Sequence, residues 1–104
     1  MEIIVQGHQL DVSSAMRLRA ERKVRALAAL LKRPVDAVVR FEPDGITRRV
    51  EIVLHAPYRR SIVAEARDKR TAAALSAAAR RLEVQILRLK RPIKSRRRLG
   101  AKPA

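Results

Sequence analysis

The sequence predicts an α+β fold with elements in the order β-α-β-β-β-α, a two-layer sandwich in which two helices pack on one face of a four-stranded sheet. Three observations predict it. Two long segments repeat their apolar residues at helical spacing, three consecutive segments between them alternate apolar and polar residues with a period of two, and a β-branched run precedes the first helix. Each amphipathic helix needs a surface for its apolar stripe. A single sheet face serves both, leaving the other face mostly polar.

The first strand is the run Ile3, Ile4 and Val5, ended by Gly7. Asp11, Ser13 and Ser14 then offer helix caps. Behind them Met16, Ala20, Val24, Leu27 and Leu31 recur at helical spacing, which predicts a helix from Ser14 to Leu31 closed by Pro34. From Val35 the period changes to two: Ala37, Val39 and Phe41 alternate with Val38, Arg40 and Glu42 up to a turn signal at Pro43-Asp44-Gly45. Val50, Ile52 and Leu54 continue the alternation, and after a break at Pro57-Tyr58-Arg59-Arg60 so do Ile62, Ala64 and Ala66. Three consecutive antiparallel strands follow from this pattern. The second helix starts near Lys69 to Thr71 and runs to about Lys90, with Leu75, Ala79, Leu82, Ile86 and Leu89 as its stripe and Pro92 as its end. Residues 1–91 form the domain. Residues 92–104 are basic and without apolar periodicity, which predicts a disordered tail.

Composition bounds the function. With 104 residues, 47% of them hydrophobic, the chain can build one core. It has no cysteine, so a disulfide framework and a thiolate metal site are excluded. Neither a signal sequence nor a stretch of about 18 apolar residues is present, which leads to the expectation of a soluble, cytoplasmic protein with no membrane contact. The net charge is +15 and unevenly spread: residues 57–104 carry fifteen basic against three acidic residues, residues 1–56 ten against seven. Such an excess favours a polyanionic partner. Phe41 and Tyr58 are the only aromatics, too few for base-stacking platforms, so RNA contact is expected at phosphate and sugar, through Arg forks.

Chemistry-bearing constellations are missing. His8 and His55 lie on different elements with no ligand partners at metal-binding spacing, Ser13 and Ser14 are explained as caps, and Gly7, Gly45 and Gly100 form no phosphate loop. No enzyme, cofactor or small-molecule substrate is expected. On the second helix, about 100° per residue puts Arg80, Arg81, Arg88 and Arg91 opposite the apolar stripe.

Two stretches carry a resemblance. Gly7 to Arg17, GHQLDVSSAMR, followed by Lys23, Val24 and Leu27, is similar to the Gly-polar-polar segment and Ser/Thr-x-Ala-Leu/Met-Arg helix start of the ribosome hibernation-promoting factors, the protein Y family. The stretch IVAEARDKRTAAALSAAARRLEVQILRLK from Ile62 resembles the last strand, turn and final helix of that family. The chain departs from the pattern at Ala72, where an aromatic residue is usual, and at Val84, where a basic one is common. Arg19, Leu30 and Leu31 stand at aromatic positions of the first helix. The resemblance spans about residues 3–91 and is to a short form, without the dimerisation domain of long members.

What the resemblance implies is binding to small-subunit ribosomal RNA in the channel for messenger and transfer RNA, blocking translation by occlusion. The expected RNA-binding residues are Arg80, Arg81, Arg88 and Arg91, with Lys23 near the seam between the helices and Arg22 and Lys90 beside them. The expected state is a monomer or a weak homodimer. Two other functions fit the residues. One is a double-stranded RNA-binding module, whose α-β-β-β-α order is embedded in this one and whose grip Lys69 and Arg70 would supply. The other is an interaction domain for an acidic protein.

Overall fold

The computed structural model describes residues 1–31, 36–55 and 61–90. Its elements are β1 (Ile3–Gly7), α1 (Ser14–Ala28), β2 (Asp36–Asp44), β3 (Thr47–His55), β4 (Ile62–Asp68) and α2 (Thr71–Lys90). The predicted order and layering hold. The sheet runs β1-β2-β3-β4, with β1 parallel to β2 and the remaining pairs antiparallel. A parallel pair needs a crossover, and α1 is that crossover. Pro34, the segment Pro57-Tyr58-Arg59-Arg60 and the tail, on which the sequence placed a helix stop, a break and disorder, lie outside the described residues.

Local chemistry explains the boundaries. Ser13 caps α1 by accepting the Met16 backbone N–H at 3.1 Å. The helix ends at Ala28, earlier than the apolar spacing predicts. The Leu30 and Leu31 amides then turn back to the Leu27 and Ala28 carbonyls, tightening the last turn while both leucines still pack against the core. The hairpin turn is Gly45-Ile46 and not Pro43-Asp44-Gly45: Pro43 and Asp44 are still paired with Arg48 and Thr47. Gly45 has φ +62, and glycine followed by any residue suits the two-residue turns that match strand twist. At Gly7 a side chain has no room, since a Cβ there would come within 2.0 Å of the Leu10 carbonyl oxygen.

The core lies between the layers. Val5, Ala37, Val39, Phe41, Val50, Ile52, Leu54, Ile62, Ala64 and Ala66 from the sheet meet Ala20, Val24 and Ala28 of α1 and Leu75, Ala78, Leu82 and Ile86 of α2. Alanine at so many helix positions lets the backbones approach the sheet closely, and Phe41 is the largest side chain fully buried between them. Leu89 does not join the stripe and is 41% exposed. Gln85 already reaches Val63, the second residue of β4, so Leu89 sits a turn beyond the described strand.

Both free sheet edges are closed by side chains from the helix above. Arg17 of α1 donates to the Val5 carbonyl on the β1 edge. Arg81 and Gln85 of α2 donate to the Glu65 and Val63 carbonyls on the β4 edge, both at 2.7 Å.

On the face away from the helices, Arg49 is the hub of an ion-pair cluster. Its guanidinium bonds Glu42 at 2.6 Å, Glu51 at 3.1 Å and, closest of all, Glu65, so one cation joins three strands. Partial burial alone would lower the Arg49 pKa, but the hydrogen bonds to Glu65 and Glu42 and the charges of Glu65 and Glu51 outweigh it and hold it above its ordinary value. A raised pKa means the charged form stabilises the fold below that value and is lost only above it, so the contribution is constant across the neutral range. Arg49→Met leaves three carboxylates converging on an apolar side chain. The expected loss is about 2 kcal/mol, less than the ~3–5 kcal/mol of a fully buried pair because water reaches these carboxylates. Urea denaturation checks it. Arg49→Met with Glu65→Met should recover part of the loss, and an unchanged midpoint in the single variant would refute the hub.

Candidate nucleic-acid interface

The helix layer is where unpaired positive charge collects. Together α1 and α2 hold nine basic residues, Arg17, Arg19, Arg22, Lys23, Arg25, Arg80, Arg81, Arg88 and Lys90, against two acids, Glu21 and Glu83. All five ion pairs among the described residues lie on the sheet, none on the helices. A cationic surface with no ion pair among its described residues is what a polyanion neutralises with release of its own counter-ions.

The expected residues separate into groups. Arg22, Arg80 and Arg88 are exposed on the outer side of their helices, as the spacing predicts. Lys23 is half-buried. Arg17 reaches outward over the β1 edge, and Lys23 lies across the apolar stripe from it, so Lys23 flanks the seam with α2. Arg81 behaves differently from the prediction: it is exposed, but its guanidinium turns down to the β4 edge and donates to the Glu65 carbonyl. The reason is angular. Arg81 sits on the flank of α2 above β4, one helical turn before Gln85, which makes the same kind of bond. The Lys90 side chain and Arg91 lie outside the described residues.

Two residues extend the surface. Arg19 and Arg25 are exposed on α1 and flank Arg22 at intervals of three, a spacing readable in the sequence as a basic ridge. Between the cations stand exposed Leu18 on α1 and Val84 and Leu87 on α2, at 47%, 44% and 38%. Lys69 and Arg70 are exposed just before α2, with the Arg70 amide held by the Asp68 carboxylate at 3.0 Å. Among the described residues no helix is long and apolar enough to cross a membrane, and no three His, Cys, Asp or Glu side chains gather as metal ligands.

Comparison with known proteins gives consistent relatives. The sequence profile of the family described as Sigma 54 modulation protein / S30EA ribosomal protein matches residues 3–94. The chain is 29% identical over 104 residues to a ribosome hibernation promoting factor of Azotobacter vinelandii, covering all of this chain and 95% of that protein. Among solved structures it superimposes on the N-terminal domain of Protein Y from Thermus thermophilus with a TM-score of 0.74 at 27% identity, over 86% of this chain and 99% of that one. A ribosomal subunit interface protein from Coxiella burnetii matches with the same TM-score at 21% identity, over 86% and 98% of the two chains, a likeness of fold.

Proposed function

The chain belongs to the Sigma 54 modulation protein / S30EA ribosomal protein family, and from that membership we propose that it is a ribosome-associated hibernation factor that lays its helix layer on small-subunit ribosomal RNA and occludes the channel of messenger and transfer RNA. The observation that carries the reading is the segregation of charge. Nine cations stand on the helices against two acids, while the sheet keeps the ion pairs.

The mechanism is binding rather than chemistry. Arg22, Arg80 and Arg88 act as phosphate clamps, Lys23 adds a point charge at the seam, and Arg19 and Arg25 widen the ridge. Phe41, the one aromatic among the described residues, is buried and offers no ring to a base, so recognition by those residues rests on the path of the RNA backbone. If four phosphates are neutralised, affinity falls about a hundredfold between about 50 and 200 mM salt.

Sedimentation with isolated small subunits through a sucrose cushion, at those two salt concentrations, tests the proposal. Co-sedimentation is expected at the lower salt, reduced at the higher, and lost when messenger and transfer RNA already occupy the subunit. Absence from the subunit pellet at both salts overturns it. Preference for naked duplex RNA would establish the double-stranded RNA-binding alternative instead, and a partner surviving nuclease the acidic-protein one.

A further inference from the structure

On a chain of net charge +15, the open face of the sheet is acidic. Strand alternation puts six acidic against three basic residues there. Four of the acids are already engaged: Glu42, Glu51 and Glu65 by Arg49, and Asp44 by Arg67. The third cation, Arg40, comes no nearer than 3.9 Å to Glu51. Glu2 and Asp36 are in no ion pair among the described residues. Both are exposed, and the Glu2 backbone N–H donates to the Asp36 carboxylate at 3.0 Å, so they are neighbours at the start of β1 and β2. Beside them runs an aliphatic row, Ile4, Val38, Val53 and Val63, one residue per strand. Ile4 and Val63 are 41% and 43% exposed, and none of the four packs with the core. Single exposed aliphatics are ordinary; an unbroken row across a sheet is not.

The opposite charge is concentrated in one segment. Residues 91–104, RPIKSRRRLGAKPA, hold six basic residues and no acid, and Leu99 follows the run Arg96-Arg97-Arg98.

The course of α2 delivers that segment to the acidic end of the sheet. Arg81 bonds the Glu65 carbonyl and Gln85 the Val63 carbonyl, so α2 runs antiparallel to β4 and passes Ile62, where β4 starts, before it reaches Lys90. Register sets Ile62 level with Leu54, Ala37 and Ile3. The chain therefore leaves α2 at the end of the domain that bears Asp36 and Glu2. Two broad surfaces meet there. The helix layer, with nine cations against two acids, repels a basic segment, and the open sheet face attracts it.

We propose that residues 91–104 turn round this end of the sheet and lie across its open face, with Arg96, Arg97 and Arg98 against Asp36 and Glu2 and Leu99 on the aliphatic row. Length permits it. From Lys90 the path covers about 10 Å from the helix layer to the sheet, about 5 Å through it and about 10 Å across two strand spacings from β4 to β2. That is about 25 Å, or about eight extended residues, which brings Arg98 to Asp36. The contact is intramolecular, so an effective concentration in the millimolar range sustains attractions too weak to hold a free peptide. A few exposed charge pairs and one leucine make it a contact that salt dissolves.

The test uses the full chain alone, with neither RNA nor ribosome present. A nitroxide is placed on Ala101→Cys, the sole thiol of a cysteine-free chain, and read through the backbone amide signals of the isotope-labelled protein. At low salt, Val38 and Val53 should lose severalfold more signal than Arg25 and Arg88. Those two lie at the same end of the domain on the helix side, where an unattached segment would reach them as often. Arg96→Glu with Arg97→Glu and Arg98→Glu, which alters no residue of the sheet or helices, should abolish the difference. So should about 1 M salt, where the Debye length is about 3 Å. Glu2→Lys with Asp36→Lys should abolish it too, and joining both sets of reversals in one chain should restore it. Equal loss on the two faces overturns the proposal, as does a difference that persists in the Arg96–Arg98 variant or at high salt. So does a difference that arises equally when a nitroxide-bearing chain without isotope is mixed with an isotope-labelled chain without nitroxide, because the segment would then come from a second copy.

Discussion

Replacing Arg80 and Arg88 together by glutamate should lower affinity for small-subunit RNA by a hundredfold or more at low salt, while leaving the protein at least as stable to heat. Both side chains are exposed on the outer side of α2, and neither takes part in an ion pair among the described residues. Each phosphate that is no longer neutralised reduces the slope of log affinity against log salt by about one, so the slope should fall by about two. The two reversals take the net charge from +15 to +11, since each removes two units, and less self-repulsion favours the compact state. Filter binding across a salt series, with a thermal melt of the same samples, separates binding from folding. Unchanged affinity with an unchanged slope would remove α2 from the interface. Arg81 is a poorer choice for this test, because its reversal also takes a donor from the β4 edge.

Phe41→Ala should destabilise the fold by about 4 kcal/mol, a large fraction of what a domain of this size has to lose. Phe41 is fully buried on central strand β2, and the other core side chains are aliphatic, many of them alanine. Small neighbours on two rigid helices cannot close the space, so the cavity persists. The melting temperature should fall by about 20 °C, and Phe41→Leu should cost only about 1 kcal/mol. A melt shifted by less than about 5 °C in Phe41→Ala would mean that the sandwich collapses onto the gap.

The fold was legible because its periods are clean. Val39, Phe41, Val50 and Ile52 alternate without interruption, and Val24, Leu75, Leu82 and Ile86 keep helical spacing, so element order and the buried face follow from the chain alone. Ends were harder. Pro43 suggests a turn, yet it completes a strand, because the glycine conformation that the turn needs is one position later, at Gly45 and Ile46. Leu89 continues the stripe in sequence but lies a turn beyond the described start of β4, and where β4 starts cannot be read from the helix. Within the candidate site, exposure of Arg22, Arg80 and Arg88 follows from the helical angle. The downward turn of Arg81 does not, since it depends on which flank of α2 overlies the sheet edge. A row of aliphatic residues on the sheet face away from the helices was hidden for a similar reason. Ile4, Val38, Val53 and Val63 are scattered along the chain, and only the register of all four strands brings them into line.

The capping of the sheet edges by Arg17, Arg81 and Gln85 bears on how the chain survives its own synthesis. The β1 edge receives its cap from the very next element, so that side is shielded early. The β4 edge must wait for the last helix. Until α2 emerges, the nascent protein displays the uncapped carbonyls of Val63 and Glu65, a template for strands of neighbouring chains. A ribosome stalled just after β4 would therefore release an aggregation-prone fragment, whereas one stalled before β2 would release only a strand and a helix.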